Sequence, residues 1–364
     1  MEYISCFSGI GGLDGDYPPI GYSEIDKTCL TYLNKIYPKS KNLGDIKFAD
    51  KMQCEVLTAG WPCQDISIAG KGRGLVGENS KLFYDMVNFA KKSNAHTVIA
   101  ENVKNILRID EGKVFKEILK VFKDAGFNFC SWRTLNSREF GLPHHRSRVF
   151  FIASKKQDVP LNIFRKIKSY NSTKTSKSYG FYWTAGTHSI CYSKGYIPTL
   201  KLGGQFETPS SIAIHMEGKI KVLSGIESLK LQGFQPSNFL DIKNGKLVNL
   251  AGNAVSVPVG KFVFKSLFEK NNEKLTWSYQ SRDMFQNDFL ESIEKNPING
   301  FFDGELHIPN LEKTENLASN LDDFLDGDFS KELSKRASSG LLRRLNLSKT
   351  FCPDDLRIRL EELA

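Results

Sequence analysis

Four short runs hold residues whose types and spacing can do chemistry. Cys63 lies in Gly60-Trp61-Pro62-Cys63-Gln64-Asp65-Ile66-Ser67, directly after the apolar run Glu55–Ala59, so a strand delivers it to a tight turn. Backbone N–H groups at such a turn favour the thiolate, the nucleophilic form of cysteine. A small buried thiol is the other reading. Glu101 ends the apolar run Thr97–Ala100, where a carboxylate holds a raised pKa and shares a proton, or merely closes a strand. Arg146 and Arg148 stand two apart, so in an extended segment they share a face and suit a carbonyl, a carboxylate or a phosphate. An exposed edge strand accounts for them nearly as well. Phe7-Ser8-Gly9-Ile10-Gly11-Gly12-Leu13 follows the first apolar run, and its glycines let backbone approach a ligand closely. Glu24, at the end of the next strand, can accept hydrogen bonds from a ribose. A dinucleotide fingerprint needs glycine at position 14; Asp14 stands there, which disfavours a nicotinamide site.

These runs need elements to hold them. Between Tyr3 and Ala153, short apolar runs (Tyr3–Phe7, Glu55–Ala59, Thr97–Ala100, Val149–Ala153) alternate with helical patterns at Lys81–Lys92 and Lys113–Ala125. That alternation predicts an α/β fold with a doubly wound, mostly parallel, Rossmann-like sheet, its ligands at the strand ends. The glycines of Gly70-Lys71-Gly72-Arg73-Gly74 suit a lid over 68–81. From about Lys155 the pattern fades into a Ser/Thr/Lys/Tyr-rich stretch with β-like pieces at Tyr196–Leu200 and Ser211–His215. Helical pattern returns at Gly225–Leu231, and the apolar run Ala254–Phe264 leads back to the first domain. The expected division is 1–154, catalytic and cofactor-binding; 155–222, a smaller irregular β-rich recognition domain; 223–270, a return segment; and 271–364, an acidic linker with a helical tail.

The chain has 364 residues and a formal net charge of +9, unevenly spread. Residues 154–221 hold eleven Lys/Arg against three acids, whereas 271–364 hold eighteen acids against twelve bases. A basic segment in a balanced chain is the footprint of a nucleic-acid partner or a solvated lysine-rich surface. The seven cysteines are scattered, with no Cys-x-x-Cys pair and no His at metal spacing, so no metal is expected. No stretch approaches the roughly 20 uncharged apolar residues of a spanning helix, and residues 1–13 lack a signal-peptide pattern. The expectation is a soluble, cytoplasmic, nucleoid-associated protein with no membrane partner.

Taken together, in this order over residues 3–265, the runs resemble the cytosine carbon-5 DNA methyltransferases of bacterial and phage restriction-modification systems. The Phe7–Leu13 loop resembles that family's S-adenosylmethionine loop, Glu24 its ribose-binding acid with Ile25 beside the adenine, and Gly44-Asp45-Ile46 the element at the adenine amino group. Trp61-Pro62-Cys63-Gln64 is similar to the nucleophile motif, Glu101-Asn102-Val103 to the base-gripping acid, and Arg146-x-Arg148 to the paired pocket arginines. Leu231-Gln232-Gly233-Phe234 and Gly252-Asn253-Ala254-Val255 match the last two motifs. The resemblance assigns catalysis to Cys63, Glu101, Arg146 and Arg148. It assigns S-adenosylmethionine binding to Phe7, Ser8, Gly9, Ile10, Gly11, Gly12, Leu13, Glu24, Ile25, Asp45, Ile46, Gly60, Pro62, Leu82, Asn253 and Val255. DNA contacts fall to Gln64, Ser67, Lys71, Arg73, Thr199, Leu200 and Lys201. Two departures stand out: Ile226 replaces the usual arginine before the acid Glu227, and Asn249 replaces a usual Gln.

The implied reaction is methylation of carbon 5 of a flipped-out cytosine in duplex DNA through a Cys63 adduct at carbon 6, with Glu101 at nitrogen 3 and the exocyclic amine. The implied partners are double-stranded DNA and a separately encoded restriction endonuclease, with the enzyme a monomer. Competing readings are a tRNA methyltransferase on the same framework, a nicotinamide oxidoreductase and a catalytically silent DNA-binding module. A basic module of about seventy residues favours duplex DNA over tRNA, and the Trp-Pro-Cys-Gln turn has no place in the oxidoreductase.

Overall fold

Buried Val, Ile, Leu, Ala and Phe in short runs build the first sheet. Its opening strands are β1 (Tyr3–Cys6), β2 (Gly21–Ser23), β3 (Lys41–Asn42), β4 (Val56–Gly60), β5 (Thr97–Val103), β6 (Phe129–Asn136) and β7 (Ser147–Ser154). Four further strands, β8 (Tyr179–Tyr182), β9 (Tyr192–Lys194), β10 (Ile212–Met216) and β11 (Lys219–Val222), form a second sheet with β15 (Lys331–Glu332). β12 (Trp277–Ser281), β13 (Asn299–Phe302) and β14 (Leu306–Pro309) rejoin the first. The computed structural model describes residues 1–62, 78–167, 176–182, 192–201, 212–271, 275–281, 299–311, 320–325, 331–348 and 352–364.

One unit comprises Met1–Leu135, Ser147–Ile167 and Val257–Lys313. Its ten-stranded sheet has the order β12-β14-β13-β6-β7-β5-β4-β1-β2-β3. The half from β5 to β3 is parallel throughout, as the strand–helix alternation requires, and β7 closes on β5 antiparallel, Thr97 opposite Ser154. Helices α1 (Lys27–Ile36), α2 (Glu78–Lys92) and α3 (Lys113–Asp124) supply the crossovers. Asp26 caps α1, its Oδ1 accepting from the N–H groups of Thr28 and Cys29 at 2.8 and 2.9 Å. α3 buries Val114, Phe115, Ile118, Leu119 and Phe122, one stripe of a 3.6-residue period. These join Phe83, Met86 and Val87 of α2 and Ile4, Leu57, Val98 and Phe151 of the strands in one core.

The other unit comprises Asn136–Arg146, Lys168–Ser256 and Thr314–Ala364. Its sheet has the order β15-β11-β10-β8-β9 with antiparallel pairings. Phe181, Ala213 and Ile220 from this sheet bury against Leu333, Leu341, Leu345, Leu356 and Leu360, which the helices Lys335–Ser348 and Asp354–Leu363 mostly carry.

This division differs from the one read in the sequence. Residues 155–167 remain with the ten-stranded sheet, and the return segment splits at Ser256/Val257. The stretch expected as linker and tail divides as well: β12–β14 extend the first sheet beside β6, and 331–364 cover the second. The reason is shortness, since strands of four or five residues between polar loops carry too little alternation to stand out. Tyr196–Leu200 is likewise no strand; Ile197 makes one isolated bridge to His144, and the strand is β9.

Candidate active site

The glycine loop leaves β1 in an uncommon backbone state. Phe7 has φ 52°, Gly9 φ 54° and Gly11 φ 76°, so the chain doubles back and Gly11 N–H donates to the Ser8 carbonyl at 2.8 Å. Glu24 holds this shape from the end of β2. One of its oxygens accepts from Gly9 N–H at 2.7 Å, the other from Ile25 and Asp26 N–H at 2.7 and 2.8 Å. The acid expected for a ribose is thus already the clamp between the glycine loop and the start of α1, and Ile25 beside it is 71% exposed.

Sequence reasoning saw Asp14 only as a missing glycine. In the structure it is buried beneath the loop, accepting from Ser5 Oγ at 2.7 Å and from the Tyr37 hydroxyl at 3.0 Å. Burial pushes its carboxyl up to about 6, against the lowering effect of the two hydroxyls. Behind the loop, the helix Val257–Lys265 comes so close that a Cβ on Gly260 would lie 2.1 Å from the Gly12 carbonyl oxygen.

A second cluster gathers at the adjacent ends of β4, β5 and β7. Gly60 pairs with Glu101 and Val103 with Arg148 across the ladders. Glu101 is 8% exposed, and Arg148 Nε lies 3.1 Å from its Oε1. This places a charge-assisted pair where the sequence expected a base-gripping acid. Asn102 Nδ2 donates to the Trp61 carbonyl at 3.2 Å, fixing the exit of β4 one residue before Pro62. Trp61 itself is buried against Phe83 and Phe151. Cys63, Gln64, Ser67, Lys71, Arg73 and the expected 68–77 part of the lid lie outside the described residues.

Arg146 and Arg148 differ in role. Arg146 is buried in the second unit, donating to the carbonyls of Leu200 and Gly252, each at 3.1 Å. The segment 144–145 joins that arrangement: Leu200 N–H donates to His144 Nε2 at 3.0 Å and Thr199 Oγ1 to the His145 carbonyl at 2.7 Å. Arg146 therefore braces the 197–200 segment and the end of the helix Asn244–Asn253. Among the expected DNA contacts, Leu200 turns its side chain inward, because a leucine beside Ile197 gains more from burial than from water, and Lys201 Nζ lies 4.6 Å from the Tyr182 ring centre.

The remaining expected cofactor residues divide by burial. Ile10, Leu13 and Ile46 are core, Leu82 packs against that core, and Asp45 turns its Oδ1 to Lys47 N–H at 3.0 Å. Asn253 and Val255 belong to the second unit, where the buried Gln232 donates to the carbonyls of Ala251 and Ala254 at 2.7 and 3.3 Å. Ile226 costs no bridge there: Glu227 forms a capping box, accepting from Ser224 N–H at 2.8 Å while its own N–H donates to Ser224 Oγ at 3.2 Å. Among the described residues no group of three His, Cys, Asp or Glu can hold a metal.

Residues 1–190 match the family model of the C-5 cytosine-specific DNA methylases. The chain belongs to this family. The methylase is 29% identical over 94% of its length to the Type II methyltransferase M2.BsuMI of Bacillus subtilis, 93% of which is covered. It is also 29% identical over 77% of its length to 98% of the Type II methyltransferase M.NgoBI of Neisseria gonorrhoeae. The Dnmt2 methyltransferase structure from S. pombe aligns with a TM-score of 0.52, 16% identity, 73% of this chain and 98% of that one. The Entamoeba histolytica methyltransferase EhMeth gives 0.51, 13% identity and coverage of 74% and 98%. Family membership makes the methylase an S-adenosylmethionine-dependent enzyme of DNA. The glycine loop fits that group, since a Cβ on Gly9 would meet no atom within 4 Å and the exposed Ile25 lies one residue from the clamp.

Proposed function

We propose that this methylase modifies carbon 5 of a cytosine flipped out of a specific duplex sequence, with Cys63 as nucleophile. The observation that carries the reading is the pair of the buried Glu101 with the partly buried Arg148 beside Gly60, at the strand end from which Trp61-Pro62 leads to Cys63. A carboxyl group held there by a guanidinium is oriented to accept from the exocyclic amine of cytosine and, when protonated, to donate to nitrogen 3. Its interaction with the ring draws electrons from carbon 6, so the Cys63 thiolate adds there and carbon 5 becomes enamine-like. S-adenosylmethionine, when bound at the glycine loop with Glu24, Ile25 and Asp45 around it, supplies the methyl group. The carbon-5 proton then leaves, and its electron pair re-forms the ring double bond as Cys63 departs as thiolate. Bases stacked in a duplex are out of reach of such a site, so the target leaves the helix at a cost of a few kcal/mol, offset by contacts to phosphates. The implied partner besides DNA is a separately encoded restriction endonuclease of the same site, and the enzyme works as a monomer.

A duplex with 5-fluorocytosine at the methylated position tests the reading. Fluorine cannot leave as a proton does, so elimination stops and a denaturation-resistant complex should map to Cys63 and vanish in Cys63→Ala. Glu101→Gln should slow methylation by orders of magnitude while S-adenosylmethionine affinity, measured calorimetrically, stays near that of the parent. Methylation by the Cys63→Ala protein, an adduct on another cysteine, or preference for an RNA transcript over the duplex would each refute it.

A further inference from the structure

The helix Lys335–Ser348 carries four basic residues and no acid, within a stretch where acids outnumber bases. Its inward face is settled: Leu341 and Leu345, with Ala337 and Leu342, pack in the core over the five-stranded sheet. At 100° per residue the opposite side carries Arg336, Gly340, Arg343 and Leu347 in one stripe. Arg336 and Arg343 are exposed and Leu347 is 72% exposed, a large apolar side chain left uncovered among the described residues.

Gly340 is the independent signal. A glycine inside a helix weakens it relative to alanine, yet a Cβ there would meet nothing nearer than the tip of Arg344 at 4.0 Å. Internal packing does not require it. A glycine between two outward arginines lets another molecule's backbone lie against the helix, as phosphate–sugar chains do. Nearby acids are engaged elsewhere: Glu332 of β15 and Glu362 of the neighbouring helix pair with Arg359, and Asp355 of that helix lies 3.6 Å from His215 Nδ1. No ion pair to Arg336 or Arg343 occurs among the described residues.

We propose that the stripe Arg336–Gly340–Arg343–Leu347 is a contact surface for the backbone of duplex DNA, separate from the basic 155–222 segment. The arginines stand about 10 Å apart along the helix axis, roughly three nucleotides of rise on one strand, and each binds a phosphate. Leu347 covers a sugar edge at the end of the stripe. The inference rests on the DNA-methylating reading.

The test is duplex binding of the full chain across a salt series, by fluorescence anisotropy, with methylation assayed in parallel. Arg336→Ala/Arg343→Ala should weaken binding about tenfold at moderate salt and flatten the log–log salt slope by about two, near 0.9 per lost phosphate contact. The KM for DNA should rise with kcat and S-adenosylmethionine affinity unchanged. Gly340→Glu, which adds bulk and charge at a half-buried position where a Cβ meets only the tip of Arg344 at 4.0 Å, should weaken binding similarly while melting at or above the parent temperature. Parental slope and affinity in both variants, with the parent methylating duplex DNA, would overturn this proposal alone. Altered self-association without altered DNA binding would also overturn it, giving the face to a second copy. A parent that neither binds nor methylates duplex DNA overturns the functional reading too.

Discussion

Asp14 shows what a single buried carboxylate adds to the glycine loop. Its partners are hydroxyls on β1 and at the end of α1, Ser5 and Tyr37, and among the described residues no cation pairs with it. Its folded-state pKa of about 6 lies above the roughly 3.9 of an unfolded aspartate, so proton binding favours the fold. Its stabilising contribution is therefore complete below about pH 4 and lost as pH rises through about 6. Asp14→Asn keeps the shape without the charge, and calorimetry should find its melting temperature above the parent's at pH 8, converging towards pH 4. A constant difference across that range would mean the carboxylate is neutralised by other means. The sequence could not reveal this, because Asp14 in a linear string is only a departure from a glycine fingerprint. Glu101 and Arg148 were legible as candidates, since an acid at a strand end and an arginine in the next apolar run are visible, but their 3.1 Å pairing depends on the β5–β7 register. The divergence of Arg146 from Arg148 was hidden for the same reason: alternation is preserved only while both residues belong to one strand, and β7 begins at Ser147.

At the level of elements, the parallel half of the sheet was readable because buried strands are continuous apolar runs and their crossover helices show a clear 3.6-residue stripe. The approach of Val257–Lys265 to the glycine loop was not. The sequence shows an apolar run with a glycine in it, while the structure gives that glycine a purpose, leaving 2.1 Å where a Cβ would meet Gly12 O. Gly260→Ala must push the helix or the loop away. The expected outcome is a loss of stability on the order of 1–3 kcal/mol, as for overpacked cores, and weaker S-adenosylmethionine binding. Denaturant unfolding and calorimetric titration measure the two effects. An alanine protein with parental cofactor affinity would show that the loop does not depend on this helix.

For the whole molecule, neither unit is a continuous piece of chain. The sheet carrying Glu101 draws its far edge from 277–309, and the five-stranded sheet draws its apolar cover from 333–360. Sequence reading expected β-character within 155–222, where β8–β11 lie, but set the start of the unit too early and could not assign it a cover 110 residues later, since burial partners at that separation leave no local period. Deleting 331–364 should expose Phe181, Ala213 and Ile220, abolish duplex binding and leave S-adenosylmethionine binding measurable. Retained sequence-specific methylation by the shortened chain would contradict this account of the unit. The same stitching sets a schedule for biosynthesis. At roughly 5–20 residues per second, synthesis of 364 residues takes on the order of half a minute, and the strands completed at Val222 wait through about the last two-fifths of that time for the leucines that cover them. The apolar face of the five-stranded sheet is therefore fully covered only once Leu356 and Leu360 have been made.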